Sequence, residues 1–241
     1  MTLTHDDALT KYGRLCIVQD VSKNGRLSFS QMSTAKAFET QQEWNGKWNK
    51  DTLTYAVVRD TEDIEGTKSE SIAMALALTT YAVEIPIKFK RVKASENPDL
   101  RIEFKSKAEE PQFRDRPSTL AFAYFPAQGV VSGSVVFNDE YLWSLDGNSV
   151  DNPATPNPKD RLRTYNIIHV LIHELGHSLG LRHDENNDTK DVMDPYYDGK
   201  VLELSPNDII RIRAKYGIRV FKNWSRYTRI KNWLFHRKRR F

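Results

Sequence analysis

The stretch His173-Glu174-x-x-His177-x-x-Gly180-x-x-His183 constrains this chain more than any other. Residues four apart share a helix face, so His173 and His177 can offer their imidazoles to one ion. His183 reaches the same ion only if the helix stops first. Gly180 suits that stop, because glycine tolerates the positive φ needed just past a helix end. Three neutral imidazoles at about 2.0–2.1 Å leave the fourth zinc position open, as in catalytic rather than structural sites. Glu174, turned about 100° around the helix from His173, can take a proton from water at that position. Incidental histidines on a surface helix would account for HExxH alone. They do not account for the added glycine and third histidine.

The rest of the 241 residues bounds the setting. With 39% apolar and 28% charged residues, the chain reads as an ordinary globular protein. A single cysteine, Cys16, excludes an intrachain disulfide. The first residues lack the apolar core of a signal peptide, and no run approaches the roughly 18 apolar residues of a membrane span. The expected location is therefore cytosolic, or outside the cell by an unconventional route. Nothing in the sequence signals an oligomer. The net charge of +4 hides an asymmetry: residues 218–241 hold nine Lys/Arg and no acid, leaving 27 basic against 32 acidic residues elsewhere.

Hydrophobic patterning predicts a strand at Leu53–Val58 and a helix over Glu65–Val83. Further strands are expected at Ile85–Val92, Leu100–Ser106 and Leu120–Pro126, with a short one at Ser132–Asp139. The Asn/Pro/Asp-rich stretch 146–160 and the EEPQFRDRPS stretch read as loops. Helices follow at Arg161–Leu179 and Ser205–Tyr216, the latter opened by an N-cap Ser and an N1 Pro. This order predicts an α+β fold with a mixed β-sheet, an active-site helix and a C-terminal helix.

The histidine motif resembles the signature of the metzincin zinc endopeptidases. DVMDPYY (Asp191–Tyr197) is similar to their methionine-containing turn, with Met193 as an apolar floor beneath the ligands. WNKDTLTYAVV, IPIKFKRV, DLRIEF, STLAFAYFP, SGSVVFNDEYLW and LSPNDIIRIRAKYG, in that order, resemble the matrixins. The resemblance implies a catalytic domain over 48–217, an N-terminal extension over 1–47 and a basic tail over 218–241. It further implies one catalytic Zn2+ and a protein or peptide substrate. An edge strand including Leu120 and Ala121 would pair with that substrate, and Pro195, Tyr196 and Tyr197 would wall its side-chain pocket.

The sequence also departs from that pattern. Phe122 and Val136 stand where matrixins place histidines of a second, structural zinc, so no structural zinc is expected. Asn138 and Tyr141 stand where calcium-binding carboxylates are expected, so calcium is doubtful, although Asp139 and Glu140 keep it open. Asp184 fits either a buried carboxylate accepting backbone N–H groups or a simple helix-exit turn. His169, one turn before His173, reads as a structural neighbour rather than a fourth ligand.

RLCIVQDV around Cys16 resembles the cysteine switch of matrixin propeptides, without its flanking arginine and glycine. RLCIV also suits, and suits well, a small buried hydrophobe in a β-segment. The tail places Val220, Trp224, Tyr227, Ile230 and Leu234 at helical spacing among Lys and Arg. Such a face could pack on the domain, bind an anionic membrane or other polyanion, or engage nucleic acid. The combined reading is a zinc-dependent metalloendopeptidase. The alternative is a catalytically silent, zinc-stabilised binding module acting through the cationic tail.

Overall fold

The computed structural model describes residues 15–23, 26–31, 46–66, 69–116, 119–126, 129–145, 164–183, 191–194, 196–197 and 202–221; for 15–23, 26–31 and 196–197 it gives the backbone. The stretch 146–160, Asp184, Pro195, His5, His236 and the tail beyond residue 221 lie outside the described residues.

The strands are β1 (Leu15–Lys23), β2 (Arg26–Gln31), β3 (Thr52–Arg59), β4 (Lys88–Arg91), β5 (Leu100–Lys105), β6 (Thr119–Tyr124), β7 (Ser134–Asn138), β8 (Leu142–Ser144), β9 (Thr164–Asn166) and β10 (Tyr196–Tyr197). The helices are α1 (Ser69–Ala82), α2 (Pro111–Asp115), α3 (Ile167–Ser178) and α4 (Pro206–Tyr216). Eight strands form one mixed sheet in the order β10-β2-β1-β6-β7-β5-β3-β4, while β8 and β9 pair separately. The pairs β3–β4, β3–β5 and β5–β7 are parallel, and β6–β7 and β1–β6 are antiparallel.

Residue pattern explains strand position. Along β5, Leu100, Ile102 and Phe104 are buried while Arg101, Glu103 and Lys105 are half-exposed, the period-two signature of a pleated strand. By contrast, β6 and β7 are buried at every position, as expected of central strands. Phe104 stacks on Phe137 at 4.9 Å, and Trp143 meets both rings edge-on.

Helices α1 and α3 pack together and against the sheet. The buried Tyr81 hydroxyl on α1 donates to the Ile172 carbonyl of α3 at 2.7 Å. The N-terminus of α4 is a reciprocal cap: Ser205 Oγ accepts from Asp208 N, and Asp208 Oδ2 accepts from Ser205 N. Among the described residues, no helix is long and apolar enough to cross a membrane.

Four expectations change. The helix expected from Arg161 begins at Ile167, because the Asn166 side chain accepts from the Ile168 and His169 amides and ends a strand pairing. The supposed loop after residue 108 holds α2, capped by Glu110 with Pro111 at its first position. The strand expected over Ile85–Val92 shortens to β4, while Ile85 and Ile87 turn into the core. Finally, the strand with Leu120 and Ala121 is not the expected edge: β1 and β2 join the main sheet, and β6 is paired with β1 on one side and β7 on the other.

Candidate metal centre

Helix α3 is wholly buried, and its C-terminus shapes the site. Gly180 adopts φ 94°. Its amide donates to the His177 carbonyl and the Leu181 amide donates to the Gly176 carbonyl, both at 2.8 Å, which is a Schellman ending. The neighbouring carbonyls of Ser178 and Leu179 accept from the Trp48 indole and the Tyr216 hydroxyl. All these bonds hold the chain where it turns back toward His183.

The three expected ligands meet. The Nε2 atoms of His173, His177 and His183 are 2.9 Å to 3.2 Å apart. His173 Nδ1 lies 2.6 Å from the Val192 carbonyl and His177 Nδ1 2.7 Å from that of Leu181. Carbonyls only accept, so the protons sit on Nδ1 and the Nε2 lone pairs of these two rings are free to bind a metal. The Nε2 contacts are therefore not hydrogen bonds between those rings. Their spacing approaches the edge, about 3.3 Å, of a tetrahedron with zinc–nitrogen bonds of about 2.0–2.1 Å.

The electrostatics point the same way. Burial above all, then the adjacent imidazoles, holds His173 well below the ordinary histidine range. Burial, His177 and Arg211 do the same to His183, and burial brings His177 down to about 3. All three are thus neutral, as metal ligation requires. Glu174 is fully buried, and among the described residues neither carboxylate oxygen meets a hydrogen-bond partner. Burial pushes it well above the usual carboxylate range. A dication at the three nitrogens is the charge that would restore the carboxylate. The donor set and this orphaned acid both fit a zinc ion.

Surrounding elements brace the ligands. Met193 is buried against Gly176 on α3, at the turn expected from the sequence. Asp208 Oδ2 accepts from the Val192 amide at 2.8 Å, tying that turn to the start of α4. Arg211 donates to the Arg182 and His183 carbonyls and anchors the third ligand. Phe125, just past β6, packs edge-on against His177 at 5.5 Å. Sequence reasoning missed Asp208, Arg211, Trp48 and Tyr216. Only Asp208 carried a signal, as the acid three residues after the N-cap Ser205.

The other singled-out residues fall as follows. His169 is buried but lies outside the ligand trio. Leu120 and Ala121 are buried in β6. Tyr196 and Tyr197 form β10 against β2, and the Cys16 backbone pairs with Ala123. Phe122 and Val136 face each other across β6 and β7 within a small cluster that includes Phe113 and Tyr124. Asn138 donates to the Thr119 carbonyl, and Glu140 pairs with Lys107.

A mixed sheet over two long helices, with an HExxH helix ended by glycine before a third histidine and a methionine turn, defines the metzincin class of fold. The matrixin family model matches residues 47–217, and the chain belongs to the matrixin family. Matrilysin of Felis catus is 35% identical over 178 residues, covering 72% of this chain and 61% of matrilysin. Matrix metalloproteinase-26 of Homo sapiens is 30% identical over 177 residues, covering 71% and 60%. Matrix metalloproteinase-2 of Drosophila melanogaster is 31% identical over 185 residues, covering 75% and 22%. The matches thus span at most 61% of these relatives.

Proposed function

We propose that the protein is a zinc-dependent metalloendopeptidase. Membership of the matrixin family supports metalloprotease chemistry in general. The observation that carries the finer reading is the convergence of three neutral imidazoles beside a buried carboxylate with no partner.

His173, His177 and His183 would hold the ion, and Met193 would floor the site. When bound, zinc supplies a Lewis acid that acidifies a water and polarises a carbonyl. Glu174 takes the proton from the attacking water and delivers it to the leaving amine. Leu120 and Ala121 would offer backbone groups to an extended substrate only where β1 leaves β6, and the stretch 195–197 would wall its side-chain pocket only where β2 leaves β10. The substrate class is protein or peptide.

A silent binding module has no use for a buried, unpartnered Glu174, since burying an acid without partners costs stability. The test is cleavage of casein or a peptide library with and without a zinc chelator. Loss of cleavage on chelation and in Glu174→Ala supports the enzyme. Cleavage that survives Glu174→Ala points to a contaminant.

A further inference from the structure

One basic cavity stands apart from the ligand trio, and the chemistry proposed above gives it no role. Helix α4 carries Arg211, Ala214 and Lys215 at i, i+3 and i+4, so they share one face. Lys47, from the stretch before β3, completes the wall, and the four residues line a cavity of about 350 Å³. That volume falls within the range of small-molecule sites, about 300–1,000 Å³. Ala214 puts only a methyl group between the two cations of its helix.

The Lys215 ammonium donates to the Gly46 carbonyl at 3.4 Å, which ties α4 to the strap that carries Lys47. A Cβ at Gly180 would overlap the Gly46 carbonyl and crowd the Lys215 stem, so the glycine stop of α3 backs the same spot. Arg211 spends Nη2 on the Arg182 and His183 carbonyls. Its Nη1 is buried and meets no acceptor among the described residues. Among the described residues, no carboxylate pairs with Lys47, Arg211 or Lys215. Burial above all, then the charges of Arg182, Lys47 and Arg211, holds the Lys215 ammonium below the ordinary lysine range. These cations gather on a body that, outside the tail, carries 27 basic against 32 acidic residues. Holding like charges together costs free energy that an anion among them would recover.

From this arrangement we infer that the cavity binds the phosphate group of a small phosphate monoester, or free inorganic phosphate. Such a group carries about −1.5 to −2 charges near pH 7 and three strong acceptor oxygens. Guanidinium and ammonium donors suit those oxygens. The site depends on neither the zinc nor the protease reading. Because Arg211 also holds the His183 carbonyl, the occupant would lie one side chain from the third imidazole.

The test is calorimetric titration of the zinc-loaded full chain at fixed ionic strength in chloride. The probes are inorganic phosphate, glucose 6-phosphate and glucose. Lys215→Met and Lys47→Met each remove one charge from the cavity. Lys107→Met removes one beyond the far end of β5. Zinc content is measured for every variant.

Phosphate and glucose 6-phosphate should each bind at one per chain, and glucose should not bind. Lys215→Met should weaken both by about tenfold, and the exposed Lys47→Met by about threefold. Lys107→Met should leave both unchanged, and all variants should keep their zinc. Tighter binding of glucose 6-phosphate assigns the cavity to monoesters, while equal or weaker binding assigns it to the free anion. No binding of either probe at millimolar concentration would overturn the proposal. So would equal weakening by Lys107→Met, which marks diffuse charge. Binding untouched by both cavity variants would overturn it too, since the anion would then sit on the metal. Should Lys215→Met lower the melting temperature in chloride, Lys47→Met alone decides.

Discussion

Met193 lies so close to Gly176 that a Cβ on the glycine would overlap the methionine sulfur. The Tyr81 hydroxyl would lie 2.7 Å away on another side. Gly176 therefore permits α1, α3 and the methionine turn to meet. In an exposed helix, Gly→Ala would stabilise by up to about 1 kcal/mol. At this position Gly176→Ala is expected to destabilise by about 1–3 kcal/mol through overpacking. Denaturant midpoints of the two proteins check this, and a stabilised variant would contradict the packing.

Glu174 and the histidine trio divide the work of the site. Glu174→Gln keeps the shape and removes the base. It should lower kcat by about 10²–10⁴ while bound zinc stays at one per chain. Rate assays paired with metal analysis make the check, and loss of metal in this variant would mean that Glu174 is needed to hold the ion.

His177 and His169 are both buried, one inside the trio and one outside it. His177→Ala is expected to abolish zinc retention through desalting. His169→Ala should keep zinc and lower stability by about 2–3 kcal/mol through the void left by a buried side chain. Zinc loss in the second variant would place His169 among the ligands.

The trio also sets a pH response of the metal-free chain. Folding favours the neutral imidazoles, because their folded pKa values lie below the ordinary 6.5. The unfolded chain binds more protons in that window, so stability rises with pH there. It should be fully present above 6.5 and decline as pH falls toward about 3, the value for His177. Melting temperature against pH, measured after zinc removal, should fall below 6.5. A flat or rising profile on acidification would contradict the burial of neutral rings.

Asp208 links the cap of α4 to the methionine turn by accepting from both Ser205 N and Val192 N. Asp208→Ala leaves two buried donors unpaired, at about 1–3 kcal/mol each. Faster zinc loss than in the parent is expected as well, since Val192 positions His173. Chelator-driven release kinetics measure it.

Much of this was legible in the sequence because it depends on local periodicity. The ligand spacing, the Gly180 stop, the α4 cap and the alternation of β5 follow from residues a few positions apart. What was missed depends on long-range contact. Trp48 and Tyr216 cap α3 from 130 residues before Ser178 and 37 after Leu179, and no local pattern announces such a bond. RLCIVQDV was legible as a β-segment but its partner was not, because the pairing joins residues 15–19 to residues 119–124 far along the chain. The start of α3 moved because an asparagine side chain outcompeted a continuous apolar pattern.

The most direct test is X-ray absorption at the zinc edge of the loaded full-length protein. The account predicts one zinc per chain, with a first shell of nitrogen and oxygen alone at about 2.0–2.1 Å: three imidazoles and one open, water-accessible position. No bound metal, or a shell closed by a fourth protein ligand such as sulfur at about 2.3 Å, would contradict it.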